Sequence, residues 1–462
     1  MTDTIAAIAT PYGSGGIGVI RISGPKAFDI ASKIFSKKKN KPCGHIKFDS
    51  HRVYHGYIFD TKSKDILDEV LLIPMQGPSS YTAEDVVEIQ AHSGTIVLRT
   101  LLNEILSQGA RLSEPGEFTK RAFLNQRIDL TQAEAVADII NAKSAKTLKF
   151  ASSQNLGILK NQIQELRENL IHFLSLLEAN IDFPDDVALF EPSQKHIEMI
   201  DDVLEKCRSF IQQHEDACFL KDGIRITICG APNVGKSSLM NRLIEQDRSI
   251  VTATPGTTRD PIEEGLNING IPFVITDTAG IHRTDDLVEI IGIEKAMDHI
   301  TASDLVLFMK EPGTRFSDKE LEKIVSLKNQ AGKKIIFVIN KIDIKNLPLP
   351  EPSKKYRHFP KIEISALLNL GIKKLKQKIV EITIAGLDME KSSVIPNLRH
   401  KKALEQTVES LAAVKEALTG PLEEETMAID LKNSIDSLGT ITGETASLDI
   451  LDNIFNNFCI GK

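Results

Sequence analysis

The stretch Gly230-Ala231-Pro232-Asn233-Val234-Gly235-Lys236-Ser237 decides the fold of the central part of this chain. It follows the apolar run Ile224 to Cys229 and opens a helical pattern, which is the context of a phosphate-binding loop. In such a loop the backbone N–H groups surround the phosphates, the Lys236 ammonium contacts the outer two, and the Ser237 hydroxyl ligates magnesium. A plain strand-to-helix turn is the alternative for this motif taken alone. The stretch predicts binding of a nucleoside triphosphate.

Three further motifs follow apolar, strand-like runs: Asp277-Thr278-Ala279-Gly280, Asn340-Lys341-Ile342-Asp343 and Ser365-Ala366. The Asp277 carboxylate can hold the magnesium shell, and the glycine N–H of its motif can meet the terminal phosphate. The Asp343 carboxylate can accept hydrogen bonds from the ring N–H and exocyclic amine of guanine, a donor pair that adenine lacks. Ser365-Ala366 supplies a second base-contacting loop. Four ordered motifs at strand ends therefore predict a GTP site.

A Gly256-Thr257-Thr258-Arg259-Asp260 run lies between the first two motifs and is interpreted as a switch, with Thr258 as a second magnesium ligand. Ile281 follows Gly280, so the glutamine that orients water in Ras-like enzymes is missing. The predicted GTP-contacting residues are Asn233, Val234, Gly235, Lys236, Ser237, Ser238, Thr252, Ala253, Thr254, Pro255, Gly256, Thr257, Thr258, Asp277, Thr278, Ala279, Gly280, Asn340, Lys341, Asp343, Ser365 and Ala366.

Length and composition limit the remaining possibilities. A chain of 462 residues is long enough for two to four domains, each with its own core. Five cysteines without paired spacing indicate neither a disulfide framework nor a zinc site, and so a reducing compartment. A start without a signal peptide, and no apolar run near the roughly 20 residues of a membrane helix, predict a cytoplasmic protein. A net charge of −7 argues against a protein that binds nucleic acid through an overall basic surface. The lysine-rich segment Lys37 to Lys41 is either a local basic patch or a solvated loop.

The pattern of apolar residues predicts a multidomain α/β protein. Alternating strand-like and helix-like runs indicate a doubly wound, Ras-like P-loop domain, and Asn269-Gly270 indicates a hairpin within it. Apolar stripes at helical spacing precede and follow this domain, and a joint bundle would bury both. The first stripe is Leu159, Ile163, Leu166, Leu170, Phe173 and Leu177; the later ones are Leu404, Val408, Leu411 and Leu418, and Leu448, Leu451, Phe455 and Phe458. The predicted domains are an N-terminal α+β domain at 1–119, a discontinuous helical domain at 120–219 and 383–462, and an inserted GTPase domain at 220–382.

Several short motifs carry a family resemblance over essentially the whole chain. They are the GTPase motifs together with Gly18-Val19-Ile20-Arg21-Ile22-Ser23-Gly24, Pro115-Gly116-Glu117-Phe118, Arg121-Ala122-Phe123-Leu124-Asn125 and the terminal Cys459-Ile460-Gly461-Lys462. This set resembles the MnmE (TrmE) family of tRNA modification GTPases. The resemblance implies a homodimer that acts with the FAD-containing protein MnmG. Together they add an aminomethyl or carboxymethylaminomethyl group to C5 of the wobble uridine in tRNA.

The resemblance also implies a tetrahydrofolate donor, as 5,10-methylenetetrahydrofolate or 5-formyltetrahydrofolate, bound by the N-terminal domain. Its contacts correspond to Arg21, Glu88, Arg127 and Lys462. Arginine and lysine can hold the glutamate tail of a folate, and a carboxylate can accept the N–H groups of its pterin ring. Taken alone, Arg21 on a strand or Glu88 on an alternating run is more often an ordinary surface residue. Cys459 is either a nucleophile or base near that site, or a small packing residue.

For GTP hydrolysis, the resemblance assigns the orientation of water to Glu289, through a bridging water. It places potassium where an arginine finger would otherwise lie, with Asn233, Thr252, Thr254 and Thr257 as ligands. Pro255 departs from the alanine that many members carry. For Asn233 alone, a loop-stabilising hydrogen bond is the alternative.

Two other classes of function compete with tRNA modification. The first is a regulatory GTPase that binds RNA or assists ribosome assembly without modifying RNA. The second is a dimeric scaffold whose GTP cycle moves a partner. An assembly factor would need a basic RNA-binding module, and no such module is visible in the sequence.

Overall fold

The computed structural model describes most of the chain and divides it into two compact units. The described residues are 3–11, 13, 15–39, 46–182, 193–247, 263–277, 301, 303–316, 322, 334–344, 347–384, 394–420, 424–456 and 458–461, with the backbone alone at 222, 246, 247, 263 and 277. The first unit comprises Met1–Ala137, Gln154–Glu205 and Lys402–Lys462, and the second comprises Asp138–Ser153 and Lys206–Lys401. Each unit therefore combines segments that are distant in sequence. The predicted domain boundaries stay predictions.

The N-terminal part of the first unit is an α+β fold. Its strands are β1 (Ile5–Ile8), β2 (Ile17–Ser23), β3 (Phe35–Ser36), β4 (Tyr54–Phe59), β5 (Ile66–Met75), β6 (Val86–His92) and β7 (Arg111–Leu112), and its helices are α1 (Ala27–Ile34) and α2 (Thr95–Ser107). The strands form one sheet in the order β3-β4-β5-β6-β2-β1-β7. Neighbours are antiparallel except the β1–β7 pair. The predicted N-terminal α+β domain is confirmed.

The two faces of this sheet have different roles because side chains alternate along each strand. Ile20 and Ile22 of β2 point to one face and join the core formed with α1 and α2. Arg21, between them, points to the opposite face, where Ile5, Ala7 and Phe118 form a smaller buried cluster. That second face carries the charged residues considered below.

Helices follow the sheet: α3 (Glu117–Leu124), α4 (Leu130–Ile140), α5 (Ala145–Asn155), α6 (Ile158–Asp182), α7 (Gln194–Ala217) and the short α8 (Phe219–Asp222). The predicted apolar stripe from Leu159 to Leu177 lies on α6, and all six of its residues are buried. Spacings of three and four place these side chains on one face of the helix. The helix prediction for this segment is therefore confirmed.

The second unit contains the predicted doubly wound sheet. Its strands are β8 (Ile224–Gly230), β9 (Glu263–Ile268), β10 (Ile271–Asp277), β11 (Leu305–Lys310), β12 (Lys334–Ile339) and β13 (Lys361–Glu363), with helices α9 (Lys236–Asp247) and α10 (Ile372–Ile384). The order is β13-β12-β11-β8-β10-β9, and only the β9–β10 pair is antiparallel. Asn269 and Gly270 connect that pair with φ of 53° and 81°, which is the geometry of a tight hairpin turn. The predicted hairpin is confirmed.

Both faces of this sheet are buried, as expected for parallel strands. Leu305, Leu307 and Met309 of β11 pack with α9 and α10, whereas Val306 and Phe308 pack on the other side with Phe337, Tyr356 and Phe359. The continuous apolar runs of the sequence therefore correspond to strands covered on both sides. Their carboxyl ends lie at one edge of the sheet, which is where ligands bind in this architecture.

Three helices follow the GTPase domain: α11 (Leu398–Thr419), α12 (Glu424–Thr442) and α13 (Leu448–Phe455). α12 packs against α6, so segments from both sides of the inserted domain form one helical bundle, as predicted. Leu404, Leu411 and Leu418 are buried on α11 and Val408 is half-buried. The prediction was wrong for Leu448, the first residue of the last predicted stripe. Leu448 is the first residue of α13 and is 76% exposed, and the buried face of α13 starts one turn later at Leu451.

Candidate functional site

The predicted phosphate-binding loop connects β8 to α9, and its glycines are required by its backbone. Gly230 has φ of 150°, and a Cβ there would lie 2.5 Å from the Met309 carbonyl oxygen. Gly235 has φ of 93°, and a Cβ there would lie 2.3 Å from Nδ2 of Asn340. Both φ values lie in the region that favours glycine. The loop is therefore held close against the ends of β11 and β12.

Lys236 is the central charged residue of this loop. Its side chain is buried, and its Nζ donates hydrogen bonds to the carbonyl oxygens of Gly230 and Ala231, each at 2.9 Å. The ammonium group is thus fixed inside the curve of the loop at the N-terminus of α9. Ser237 and Ser238 follow in the first turn of α9 and are exposed, and Asn233 is exposed with φ of 61°.

Asn340 joins three of the predicted motifs. Its Nδ2 donates to the Val234 carbonyl oxygen at 2.8 Å, and its Oδ1 accepts from the Ala366 amide at 3.0 Å. The residue is buried, so neither bond competes with water. Asn340 therefore holds the phosphate-binding loop and the Ser365-Ala366 loop at the same edge of the sheet.

Asp343 differs from its neighbours because one of its oxygens has no partner. Among the residues that the structure describes, its Oδ1 is one of three buried side-chain oxygens that lack a hydrogen bond. An unpaired buried oxygen of an acidic side chain is costly, and a ligand that donates a hydrogen bond to it would remove that cost. Asp343 is the carboxylate that the sequence predicts for base recognition, and that role stays a prediction.

Glu311 was missed by reasoning from the sequence. It directly follows β11, and its carboxylate oxygen lies 2.6 Å from Nζ of Lys341. Lys341 has φ of 62°, an uncommon value for a residue with a side chain, and it lies two residues before Asp343. The position of Glu311 at the carboxyl end of a central strand was the available signal.

Part of the predicted nucleotide site lies outside the described residues. This holds for Thr252 to Thr258, Thr278 to Gly280 and Glu289, while Asp277 is described by its backbone alone, as the last residue of β10. The described part contains the phosphate-binding loop and both base-contacting loops.

In the N-terminal sheet, Arg21 and Glu88 are directly opposite each other on β2 and β6. Arg21 Nη2 and Nε lie 2.7 Å and 2.8 Å from Glu88 Oε1, and both side chains are largely covered. The Arg21 guanidinium also lies 4.9 Å from the centre of the Tyr81 ring and 5.6 Å from that of Phe118. The pair is therefore held in one orientation by a cation–π contact on each ring.

Arg127 also contacts Tyr81. Its guanidinium lies 5.2 Å from the centre of the Tyr81 ring, and its Nη1 donates to the Tyr81 carbonyl oxygen at 2.9 Å. The structure therefore brings together Arg21, Glu88 and Arg127, and Tyr81 is the residue between them. Sequence reasoning missed Tyr81; its only signal was an aromatic residue inside a run of turn formers, Gly77 to Thr82. Lys462 lies outside the described residues.

A buried charge cluster stabilises this part of the unit. The Arg121 side chain has no exposed surface and contacts the carboxylates of Asp3 (2.9 Å), Glu84 (3.2 Å) and Glu117 (2.9 Å). Arg111 binds Asp3 and Glu117 as well. The hydrogen bond from Arg111 lowers the pKa of Asp3. Burial would raise the pKa of Glu117, but hydrogen bonds from Arg111, the Glu114 amide and Arg121 bring it below its usual value.

The C-terminal segment is attached to the N-terminal sheet. Ile460 forms an antiparallel bridge with Pro115, and the Gly116 amide donates to the Cys459 carbonyl oxygen at 3.4 Å. Gly461 has φ of 91°, and a Cβ there would lie 2.4 Å from the Ile8 carbonyl oxygen at the end of β1. Only glycine fits this approach. The tail therefore lies against the sheet with the Cys459 side chain exposed.

The described part of the chain contains no helix that is both long and apolar enough to cross a membrane. Within the same residues, histidine, cysteine and acidic side chains do not gather in groups of three or more that could hold a metal ion.

A phosphate-binding loop between a strand and a helix, joined by Asn340 to a base-contacting loop in a mainly parallel sheet, defines a P-loop GTPase. The family model "GTP-binding protein TrmE N-terminus" matches residues 4–127, and "MnmE helical domain" matches residues 130–459. The tRNA modification GTPase MnmE of Thermoanaerobacter sp. (strain X514) is 41% identical over 465 positions, covering 100% of this chain and 99% of its own. That of Carboxydothermus hydrogenoformans is 42% identical over 467 positions, covering 100% of both. The chain belongs to the MnmE family of GTPases.

Two solved structures are similar to parts of the chain. Aquifex aeolicus Era bound to GDP·AlF4⁻ is 27% identical with a TM-score of 0.27, over 40% of this chain and 66% of that one. The cytosolic domain of the T. maritima FeoB iron transporter in its GMPPNP form is 20% identical with a TM-score of 0.25, over 48% and 98%.

Proposed function

We propose that this chain is the GTP-hydrolysing component of tRNA wobble-uridine modification. It acts as a cytoplasmic homodimer with the FAD-containing protein MnmG, and the pair adds an aminomethyl or carboxymethylaminomethyl group to C5 of the uridine. A tetrahydrofolate supplies the one-carbon unit. The observation that carries the proposal is that one chain contains two separate polar sites: the nucleotide site with the unpaired Asp343 oxygen, and the Arg21, Glu88 and Arg127 cluster.

In the nucleotide site, Asp343 accepts the two guanine N–H groups, and Lys236 contacts the outer phosphates. Ser237 and Thr258 hold magnesium, which neutralises phosphate charge when bound. Ser237, an exposed residue next to the buried Lys236, fits that role. The remaining loop and switch residues predicted from the sequence surround the nucleotide.

For hydrolysis, Glu289 orients the attacking water through a second water. Asn233, Thr252, Thr254 and Thr257 hold potassium, which when bound supplies the positive charge of an arginine finger. Asn233 supports this proposal because its side chain is exposed from a left-handed backbone position beside the phosphate-binding loop.

In the folate site, the Glu88 carboxylate accepts the N–H groups of the pterin ring, while Arg21 holds that carboxylate in place. Arg127 and Lys462 bind the anionic glutamate tail. The exposed Cys459 side chain favours a chemical role as nucleophile or base over a packing role. Either 5,10-methylenetetrahydrofolate or 5-formyltetrahydrofolate satisfies this arrangement.

Deleting the gene is expected to remove the modified wobble nucleosides from total tRNA, as measured by nucleoside chromatography and mass spectrometry. Expression of the wild-type chain should restore them, and a Lys236→Ala variant should not, because it loses the charge that contacts the phosphates. Unchanged nucleosides in the deletion strain would contradict the proposed function and favour a regulatory GTPase.

Potassium is expected to accelerate GTP hydrolysis about tenfold or more over sodium at equal ionic strength, since charge stabilisation at one transition-state position has effects of that order or larger. Asn233→Ala should reduce this ratio. The measurement is phosphate release in matched potassium and sodium buffers. Equal rates in the two salts would remove the potassium site from the proposal.

Glu88→Ala is expected to abolish measurable binding of 5-formyltetrahydrofolate, because removing a largely covered, charged hydrogen-bonding partner costs about 2–5 kcal/mol. Isothermal titration calorimetry measures the affinity. Glu69→Ala is the matched control: this exposed carboxylate lies on the same sheet and pairs with His55 at 2.7 Å. GTP hydrolysis should stay normal in both variants. Wild-type affinity in Glu88→Ala would exclude Glu88 from the site.

A further inference from the structure

We propose that Tyr81 is a positioning residue of the folate site, setting the separation between the group that binds the pterin and the group that binds the glutamate tail. The inference rests on the proposed function and adds to it a residue that touches both arginines. In this assignment Tyr81 acts through Arg21 and Arg127 and takes no part in the chemistry.

Tyr81 is the shared contact of the two guanidinium groups. Arg21 and Arg127 lie 4.9 Å and 5.2 Å from the centre of its ring, distances at which a cation is attracted to an aromatic face. Arg127 Nη1 also donates to the Tyr81 carbonyl oxygen at 2.9 Å. One side chain thus contacts two like charges, and the charge of Arg21 is also paired with the Glu88 carboxylate.

The two arginines serve different ends of a folate. Arg21 is paired with Glu88, the acceptor for pterin N–H groups, and both are largely covered. Arg127 is exposed, as suits a group that receives a flexible anionic tail from solvent. A residue that fixes the separation of these two groups selects a ligand with a ring at one end and a carboxylate at the other.

The turn that carries Tyr81 is itself held by side-chain hydrogen bonds. Asn125 Nδ2 donates to the Thr82 carbonyl oxygen at 2.7 Å, and the Ser23 and Thr82 hydroxyls are 2.7 Å apart. Glu84 accepts from the Ser23 hydroxyl and from the buried Arg121. These contacts come from β2, from α3 and from Asn125 directly after α3, so the turn is held from both sides.

The ring is anchored at its far end as well. The Tyr81 hydroxyl lies 2.9 Å from the Thr119 hydroxyl of α3, and the ring packs against the small cluster of Ile5, Ala7 and Phe118. Because part of the ring packs on this apolar cluster, leucine at position 81 keeps that packing while it removes the aromatic face. Phenylalanine keeps the face and removes only the hydroxyl.

The test compares Tyr81→Leu with Tyr81→Phe by calorimetry with 5-formyltetrahydrofolate. Tyr81→Leu should weaken binding by about tenfold or more, because two cation–π contacts are lost. Tyr81→Phe should bind within about threefold of the wild type, as should Thr119→Val, which tests the hydroxyl separately. Thermal unfolding verifies that each variant is folded, and GTP hydrolysis should stay normal in all of them.

A double-mutant cycle tests whether Tyr81 acts through Arg127. Arg127→Lys keeps the charge and loses the planar group against the ring. If the two residues share one interaction, the losses in the double variant are less than additive. Three results would each overturn the assignment. They are additive losses of folate affinity in the double variant, wild-type affinity in Tyr81→Leu, and equal losses of affinity in Tyr81→Leu and Tyr81→Phe. Failure of the wild type itself to bind would overturn the folate site and this inference together.

Discussion

Asp343→Asn is expected to weaken GTP binding by about 10²–10⁴-fold and to create affinity for xanthosine triphosphate. The carboxylate accepts two hydrogen bonds from guanine, and bonds to a charged group contribute about 1.5–3 kcal/mol each. Asparagine presents a donor in place of one acceptor, so it opposes the exocyclic amine of guanine. Xanthine has a carbonyl oxygen at that position and would accept the new donor.

The measurement is nucleotide affinity by competition with a fluorescent GTP analogue, followed by hydrolysis of each triphosphate. Asp304→Asn is the matched control, since Asp304 lies at the amino end of β11 and accepts from the Arg225 amide at 2.9 Å. Its affinity for GTP should be that of the wild type. If Asp343→Asn kept full GTP affinity, base recognition by this carboxylate would be wrong.

Arg121→Met is expected to destabilise the first unit by about 3–5 kcal/mol, the usual cost of removing one partner from a buried ion pair. Methionine keeps much of the volume but leaves Asp3, Glu84 and Glu117 without their shared cation. Hydrogen exchange of the β2 and β6 amides, measured by mass spectrometry, should become faster as the first unit loses stability. Exchange of β8 in the second unit should stay unchanged.

Lys120→Met is the control for this variant. Lys120 is adjacent in sequence and forms an ion pair with Asp452 at 2.8 Å, but the Asp452 side chain is 58% exposed. An exposed pair of this kind contributes at most about 1 kcal/mol. Equal destabilisation in the two variants would contradict the role assigned to the buried cluster.

The effect of Arg121→Met should also depend on pH. The pKa values of Asp3 and Glu117 are lowered in the folded chain from ordinary values of 3.8 and 4.5. The hydrogen bonds from Arg111 lower both most, and Arg121 lowers them further. The folded state therefore binds fewer protons than the unfolded state, and the stabilisation is complete above these values and lost as the pH falls below them. The difference in free energy of unfolding between the wild type and Arg121→Met should therefore become smaller as the pH falls. A constant difference from neutral pH to about pH 3 would be inconsistent with this linkage.

The elements predicted from the sequence are those set by neighbouring residues. The β9–β10 hairpin was predicted because Asn269-Gly270 favours the backbone angles of a tight turn, and the structure has that turn. α6 was predicted because its apolar residues recur on one helical face. The prediction that Leu448 belongs to a buried stripe was wrong, because periodicity identifies the apolar face of a helix but not where along the helix its packing partner begins.

The sequence by itself determined the class of the protein, the inserted position of the GTPase domain and the residues expected at its nucleotide site, because motifs and periodicity depend on local spacing. The tertiary structure decided which distant residues meet. Arg21 and Glu88 are 67 residues apart, and Arg121 and Asp3 are 118 apart. Tyr81 and Glu311 acquire their partners only when strands, turns and helices pack. Side-chain partners across a fold depend on strand register and burial, and no local pattern encodes them.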